Sequence, residues 1–562
     1  MNKRAKMILA LPAAAAVTFS VVFGIVSLTK KLDLAGCTTE EKALQSLNKL
    51  YKRIKVDTPT PLAENPKVIE ISQAEVLPDI DQKYPPAVEK NTGLFVEIFS
   101  SPEKADTGTD GWLRAAVPAF NTSGSELNGK PVGVRQRSIS SGVGAEDYIA
   151  ADKYTPGAFT PSNELWGETL SEKGVKTTLS EKRMAGNIAA VPVTLESQES
   201  QKKLVEKYGS MNLNNIAKAV RNGELSVGYA NPFASSAGLN DLLSTLLMFD
   251  PNNPLSKTAV QAFADFSFNI PFVAYNTLPM RDAAVRGSLD GFVLEYRSYA
   301  NMPDLQKQYS FMPLGVRHHS PLCAIGKISG EKMQILKLFN EFCKDKKWQS
   351  LATDYGFNQL NDYQFELNLL QGNVITKAQK LWKEKKYGGQ PISAVFFADV
   401  SASMDEIPLN GLKQSLINGL NYIGQENAVG FVTFSNEVSI ALPIERLDAT
   451  QCSLMAGTVE NLQSGGGTKM YDVIVVGLKM LTDEKKKNPD TKLTMFVLTD
   501  GKSKGEPDFD GIKDIIAELK LPVFTIGRHS KFDVLQQISS INDAVYINVD
   551  KDDVVYQFGN LF

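Results

Sequence analysis

A chain of 562 residues carries 60 Lys and Arg against 63 Asp and Glu, so its net charge is −3, with 22% of residues charged and 43% hydrophobic. That length exceeds what one core supports and predicts about three or four domains. The even balance gives no basic excess for a nucleic-acid partner, and the composition is that of ordinary globular protein.

The amino end reads as a membrane segment. Basic residues at positions 3, 4 and 6 precede Met7 to Leu28, 22 residues without a charge, and about 20 apolar residues span a bilayer. Leu28 runs into Thr29-Lys30-Lys31-Leu32-Asp33 rather than a small-residue cleavage site, so residues 1–37 are read as an uncleaved signal anchor or transmembrane helix. The positive-inside rule places the amino terminus in the cytoplasm and the later domains outside, in a single-pass cell-membrane topology. Leu34-Ala35-Gly36-Cys37 resembles a bacterial lipobox. The alternative is therefore a lipoprotein tethered through Cys37.

Residues 38–92 open with a helical pattern (EEKALQSLNKLYKRI) and pass into proline-spaced VDTPTPLAENPKV and LPDIDQKYPPAVEKN. Repeated prolines favour an extended spacer, which makes this segment a helical and Pro-rich stalk. Alternatively, Val68, Ile69 and Ile71 add an edge strand to the next domain.

From 93 to 365 short strands alternate with helices and small polar loops. Strand 94–99 ends at Ser100-Ser101-Pro102-Glu103-Lys104, and strand 132–137 ends at Ser140-Ser141-Gly142. PGAFTPSNELW and a strand at 187–195 follow, and NPFASSAGL opens a helix that ends near Leu247. Serines and glycines ahead of helices offer hydroxyls and free backbone N–H groups to an anion or a carbonyl. This series resembles the extracellular solute-binding proteins of ABC transporters. SLDGFVLEYRSYAN at 288–301 fits a return crossing, and SPLCAIGKISGEKMQILKLFNEFC at 320–343 a closing strand and helix. The resemblance implies two α/β lobes, at 93–193 with 295–365 and at 194–294, that bind a small molecule or peptide. Its candidate ligand residues are Ser101, Ser141, Ser162, Ser236 and Glu295. Helix capping is the competing use for each serine, and Glu295 has hinge-fastening as its alternative.

Residues 366–390 carry a linker helix (ITKAQKLWKEKKY), closed by Gly388-Gly389-Gln390-Pro391. In 391–562, ISAVFFA (392–398) and LTMFVLT (493–499) are apolar runs of the kind buried on both faces of a parallel sheet. The first delivers Asp399, Ser401 and Ser403, and the second Asp500; Thr468 follows three glycines and precedes a helical pattern at 470–482. Ligands bind open parallel sheets at the strands' carboxyl edge. Two carboxylates and three hydroxyls make an oxygen-only donor set, suited to Mg2+. Helix capping by Asp399, Ser401 and Ser403 is the structural alternative.

The D-x-S-x-S pattern with a later Thr and a later Asp resembles the metal-ion-dependent adhesion site of the von Willebrand factor type A (vWA) domain. That resemblance implies a doubly wound, Rossmann-like α/β domain with Mg2+ (or Mn2+ or Ca2+) at the top of the sheet. Metal ligands would be Asp399, Ser401, Ser403, Thr468 and Asp500, with a coordination position open to an acidic residue of a protein partner. Helices at 409–423, 509–519 and 532–540, strands at 427–434, 437–441, 521–526 and 544–548, and a last helix from 551 agree with it. Ala402 stands where the family usually has glycine, which bears on the loop's backbone.

Cys323 and Cys343 are read as buried apolar residues or a pair, and no zinc spacing is present. The histidines, His318, His319 and His529, form no hydrolase or metalloprotease motif. The expected function is therefore tethered binding rather than catalysis, with a solute receptor or sensor as the alternative and a magnesium-dependent hydrolase as a third reading.

Overall fold

A computed structural model describes residues 39–61, 79–499, 508–527 and 533–548, apart from short interruptions at 92, 109–110, 191–192, 195–196, 211, 269, 271, 275–279, 282–283, 286–288, 314–316, 364–369, 406, 421–422, 543 and 545. The segment Met7 to Leu28, Cys37, Val68, Ile69, Ile71, Asp500, His529 and the helix from 551 lie outside the described residues. Among the described residues, no helix is long and apolar enough to cross a membrane.

The C-terminal domain is built on a seven-stranded sheet in the order Val56–Asp57, Val438–Arg446, Ala428–Phe434, Ile392–Asp399, Lys492–Leu498, Val523–Gly527 and Tyr546–Asn548. Its central strand, Ile392–Asp399, is buried at every position and runs parallel to both neighbours, with Ala398 opposite Thr433 on one side and Leu498 on the other. The alternation of side chains explains the unbroken apolar run. Val395 and Phe397 pack with Val473, Ile474 and Val476 of helix Met470–Lys487. Phe396 and Ala398 belong to the opposite core, with Leu409, Leu412 and Leu416.

The segment read as a stalk belongs in part to this domain. Helix Glu40–Tyr51 is capped by Thr39 and buries Ala43 and Leu47 in the same core as Val473, Ile512 and Ile515. Val56 then pairs in parallel with Val438, adding an edge strand. Further on, Pro86–Val88 pairs with Lys130–Ser138, at the edge of a different sheet. The helical pattern was visible in the sequence, but the surface it covers is supplied by residues some 400 positions later.

The middle of the chain forms two lobes. In the first, the sheet order is Leu294–Glu295, Thr177–Ala190, Arg317–Ile325, Ala158–Thr160, Leu94–Ser100, Lys130–Ser138 and Pro86–Val88, with Glu126–Leu127 paired to Lys130–Ser138. The second has Phe272–Ala274, Val227–Ala230, Gly291–Phe292, Val193–Thr194 and Tyr309–Ser310. The chain passes between the sheets after Ala190, Phe292, Glu295 and Ser310, four times rather than the expected two. The difference arises because Tyr309–Ser310 returns to pair with Val193–Thr194.

Helix Gly372–Lys385, read as a linker, clamps both lobes. Near its start, a Cβ on Gly372 would lie 2.3 Å from Glu168 O of the first lobe. Further along, Gln379 Nε2 donates to Pro232 O (2.9 Å) and Trp382 Nε1 to Tyr229 Oη (2.7 Å) in the second. Ile375, Ala378 and Trp382 are buried in a core that continues from the lobes to Ile392 and Phe396 of the C-terminal sheet. A helix with two opposed partners reads as a linker only when its partners are unknown.

Candidate functional site

Asp399 ends the central strand and is fully buried. Ser401 N donates to its Oδ1 (2.9 Å) and Thr499 Oγ1 to its Oδ2 (2.5 Å), so the carboxylate is oriented from its own loop and from the neighbouring strand's end. The following loop is tied to the glycine loop by Ala402 N to Gly466 O (3.0 Å) and Gly465 N to Val400 O (2.8 Å). Asn436 Oδ1 accepts from Gly467 N (2.8 Å) and steadies the far side. These bonds bring Thr468, half-buried just before helix Met470–Lys487, to the edge that carries Ser401 and Ser403. The two serine hydroxyls lie 3.1 Å apart. Asp500 follows Thr499 directly, outside the described residues.

Ala402 starts the 3-10 turn Ala402–Met404. This right-handed conformation costs alanine nothing, so the departure from glycine leaves the loop unstrained. The hydroxyls of Ser401 and Ser403 converge beside a buried carboxylate, a donor chemistry that fits Mg2+ or another hard cation. Thr499 and Asn436 were not singled out from the sequence. A Thr directly before the second aspartate was the available signal for Thr499.

A second site lies between the lobes. A cavity of about 50 Å³ is lined by Ser101, Glu103, Ser141 and Ser162 of the first lobe, Ser236 and Arg281 of the second, and Glu295 and Arg297 at the crossing. All five sequence-selected residues, Ser101, Ser141, Ser162, Ser236 and Glu295, thus meet at one cavity. Glu103 Oε1 accepts from both Ser101 Oγ and Ser162 Oγ. Ser162 N donates to Ser141 Oγ at 3.1 Å. His318 stands behind, its Nδ1 2.7 Å from Ser162 O and its Nε2 3.6 Å from Glu295 Oε1, and burial lowers its pKa. Glu103, Asp106, Arg281 and Arg297 were missed, because ionic residues inside ordinary loop patterns carry no periodic signal.

The lobes meet through direct bonds. Trp166 Nε1 donates to Ser236 Oγ (2.8 Å), Ser140 Oγ to Ala234 O (2.7 Å) and Asn163 Nδ2 to Ser236 O (3.2 Å). Gly142 abuts the second lobe so closely that a Cβ there would lie 1.9 Å from Phe233 O. Cys323 and Cys343, raised as a pair, are both buried and free. They belong to separate cores, and burial pushes the Cys323 thiol up to about 11.

The family model for the von Willebrand factor type A domain matches residues 394–559. These residues form a vWA domain. A curated relative, the uncharacterized protein sll0103 of Synechocystis sp., is 26% identical over 155 residues, 27% of this chain and 36% of its own length; the chain thus spans about a third of that relative. Among solved structures, a vWA protein from Catenulispora acidiphila is similar at 17% identity over 31% of this chain and 42% of its own, with a TM-score of 0.28. A periplasmic thiamin-binding protein is similar over 54% of this chain and 98% of its own, at 12% identity and a TM-score of 0.41. Solute-binding proteins and vWA domains are both represented among the similar structures.

Proposed function

We propose that the protein is an extracytoplasmic binding protein, tethered through its amino-terminal segment, whose vWA domain holds Mg2+ and uses it to engage an acidic residue of a protein partner. The reading is carried by the pair of backbone bonds joining loop 400–402 to loop 465–466, which gathers Ser401, Ser403 and Thr468 beside the buried Asp399. Asp399, Ser401, Ser403, Thr468 and Asp500 would hold the ion. The bound ion supplies a positive centre for a carboxylate, and the chain's own part is to fix hydroxyl direction and exclude soft metals by offering only oxygen. Partner capture by the full chain, compared in Mg2+ and EDTA and repeated with Ser401→Ala, tests this. Capture that is indifferent to both conditions overturns it.

A second reading is that the two-lobed domain is a solute receptor or sensor and the vWA domain a docking module. The convergence of Ser101, Ser141, Ser162, Ser236 and Glu295 on one interlobe cavity favours it. Ligand-induced thermal stabilisation in the absence of any protein partner is the expected result, and a flat response across ligand classes counts against it.

A further inference from the structure

The hydroxyls around the interlobe cavity are not equivalent. On the first lobe, Ser101 and Ser162 each donate to Glu103, and Ser138 donates to Asp106 (2.5 Å). A serine hydroxyl has one proton, so Ser101 and Ser162, with the carboxylates of Glu103 and Asp106, present lone pairs to the cavity. On the second lobe and at the crossing the pattern reverses. Ser235 Oγ accepts from Gly238 N (3.4 Å), Ser236 Oγ from Trp166 Nε1 (2.8 Å) and Ser298 Oγ from Arg297 (2.9 Å). Each of these three keeps its own proton to donate, and Arg281 lines the cavity from the second lobe and Arg297 from the crossing.

Charge is balanced as well as divided. Glu103, Asp106 and Glu295 stand against Arg281, Arg297 and the buried Lys104, whose Nζ donates to Pro161 O (2.8 Å) and which feels both Glu103 and Glu295. A bare oxyanion would face the carboxylates of the first lobe. A polyamine would face the two guanidinium groups. Either leaves one like charge opposed in a confined, poorly solvated space.

Volume narrows the choice further. A water needs about 10–15 Å³ of such space, so about 50 Å³ takes roughly three to five non-hydrogen atoms.

Resting on the solute-receptor reading of this cavity, we propose that its ligand is a small zwitterion of glycine's size. Its ammonium group lies against Glu103 and the lone pairs of Ser101 and Ser162. Its carboxylate lies toward Arg281, Arg297 and the hydroxyls of Ser235, Ser236 and Ser298.

Calorimetry on the full chain tests this with glycine, alanine, acetate, ethanolamine, sulfate and putrescine. Glycine is expected to bind at least tenfold more tightly than acetate or ethanolamine, each of which carries only one end of the zwitterion, and more tightly than the larger alanine. Glu103→Gln is expected to weaken glycine by tenfold or more and to leave acetate unchanged; Ser298→Ala is expected to weaken acetate and glycine together. Tighter binding of sulfate or putrescine overturns the zwitterion while leaving a receptor in place. No binding by any of the six overturns the zwitterion and the receptor reading with it. Unchanged glycine affinity in a folded Glu103→Gln, checked by circular dichroism, overturns the assigned orientation.

Discussion

Lys55 Nζ lies 2.6 Å from Glu437 Oε1, across 382 positions of sequence. The ion pair is exposed and adds little by itself. It marks the line along which Val56–Asp57 joins the sheet edge at Val438–Ser439. The two-lobed domain is consequently bracketed by segments of one sheet, the strand Val56–Asp57 before it and the strand Ile392–Asp399 after it.

That relationship predicts that residues 39–57 stabilise the vWA domain. Leu47→Ala, which empties a buried site between helix Glu40–Tyr51 and the sheet's helices, is expected to cost about 2–5 kcal/mol. Urea unfolding followed at the vWA transition measures it, with Lys55→Ala as a near-neutral control. Equal effects of the two substitutions would contradict the packing described.

Metal dependence is best tested at Ser401 rather than Asp399. Asp399 accepts two orienting bonds, so its loss disturbs the fold and the ion site together. Ser401→Ala leaves its backbone bond to Asp399 intact, and its stability in EDTA is expected to fall by only about 1 kcal/mol. The rise in melting temperature on adding Mg2+ to the wild type is expected to vanish. Retention of the full rise would remove Ser401 from the ligand set.

Lobe closure is open to a single-atom test. Gly142→Ala places a Cβ 1.9 Å from Phe233 O, and the overpacking is expected to cost about 1–3 kcal/mol or to be relieved by parting the lobes. Small-angle scattering is expected to show a larger radius of gyration for the variant. An unchanged scattering profile with unchanged stability would mean that the lobes do not meet at this point in solution.

Burial raises Asp241, on helix Ser236–Phe249, from 3.8 to about 7. Because the folded carboxyl holds its proton more tightly than the unfolded one, its contribution is complete below about pH 4. It is lost progressively as pH rises toward 7 and is constant above that. Asp241→Asn is expected to remove this decline, by roughly 4 kcal/mol at most, in melting curves taken between pH 4 and 8. A wild-type stability that does not fall across that range more than the variant's would show that Asp241 is not held neutral.

The elements read most directly from sequence were those whose partners are implied by composition alone. ISAVFFA and LTMFVLT cannot expose either face, so they had to be central parallel strands, and the helix at 509–519 matches Phe509–Leu519. Strands followed by serine loops put Ser101, Ser141, Ser162 and Ser236 at one cavity because the carboxyl ends of strands in each lobe face the cleft. Helix Ala449–Glu460 was not anticipated, since its apolar residues are spread around its circumference rather than gathered in a stripe. Helices Glu40–Tyr51 and Gly372–Lys385 were anticipated as helices but not as bridges. Amphipathy states that a face is covered and is silent on what covers it.

The edge strand Val56–Asp57 has a mechanical corollary. A pull transmitted through residues before Thr39 enters the sheet by way of helix Glu40–Tyr51 and the strand beside Val438, and from there reaches Asp399 through hydrogen-bonded neighbours. The two-lobed unit lies beside this line of hydrogen-bonded strands rather than within it.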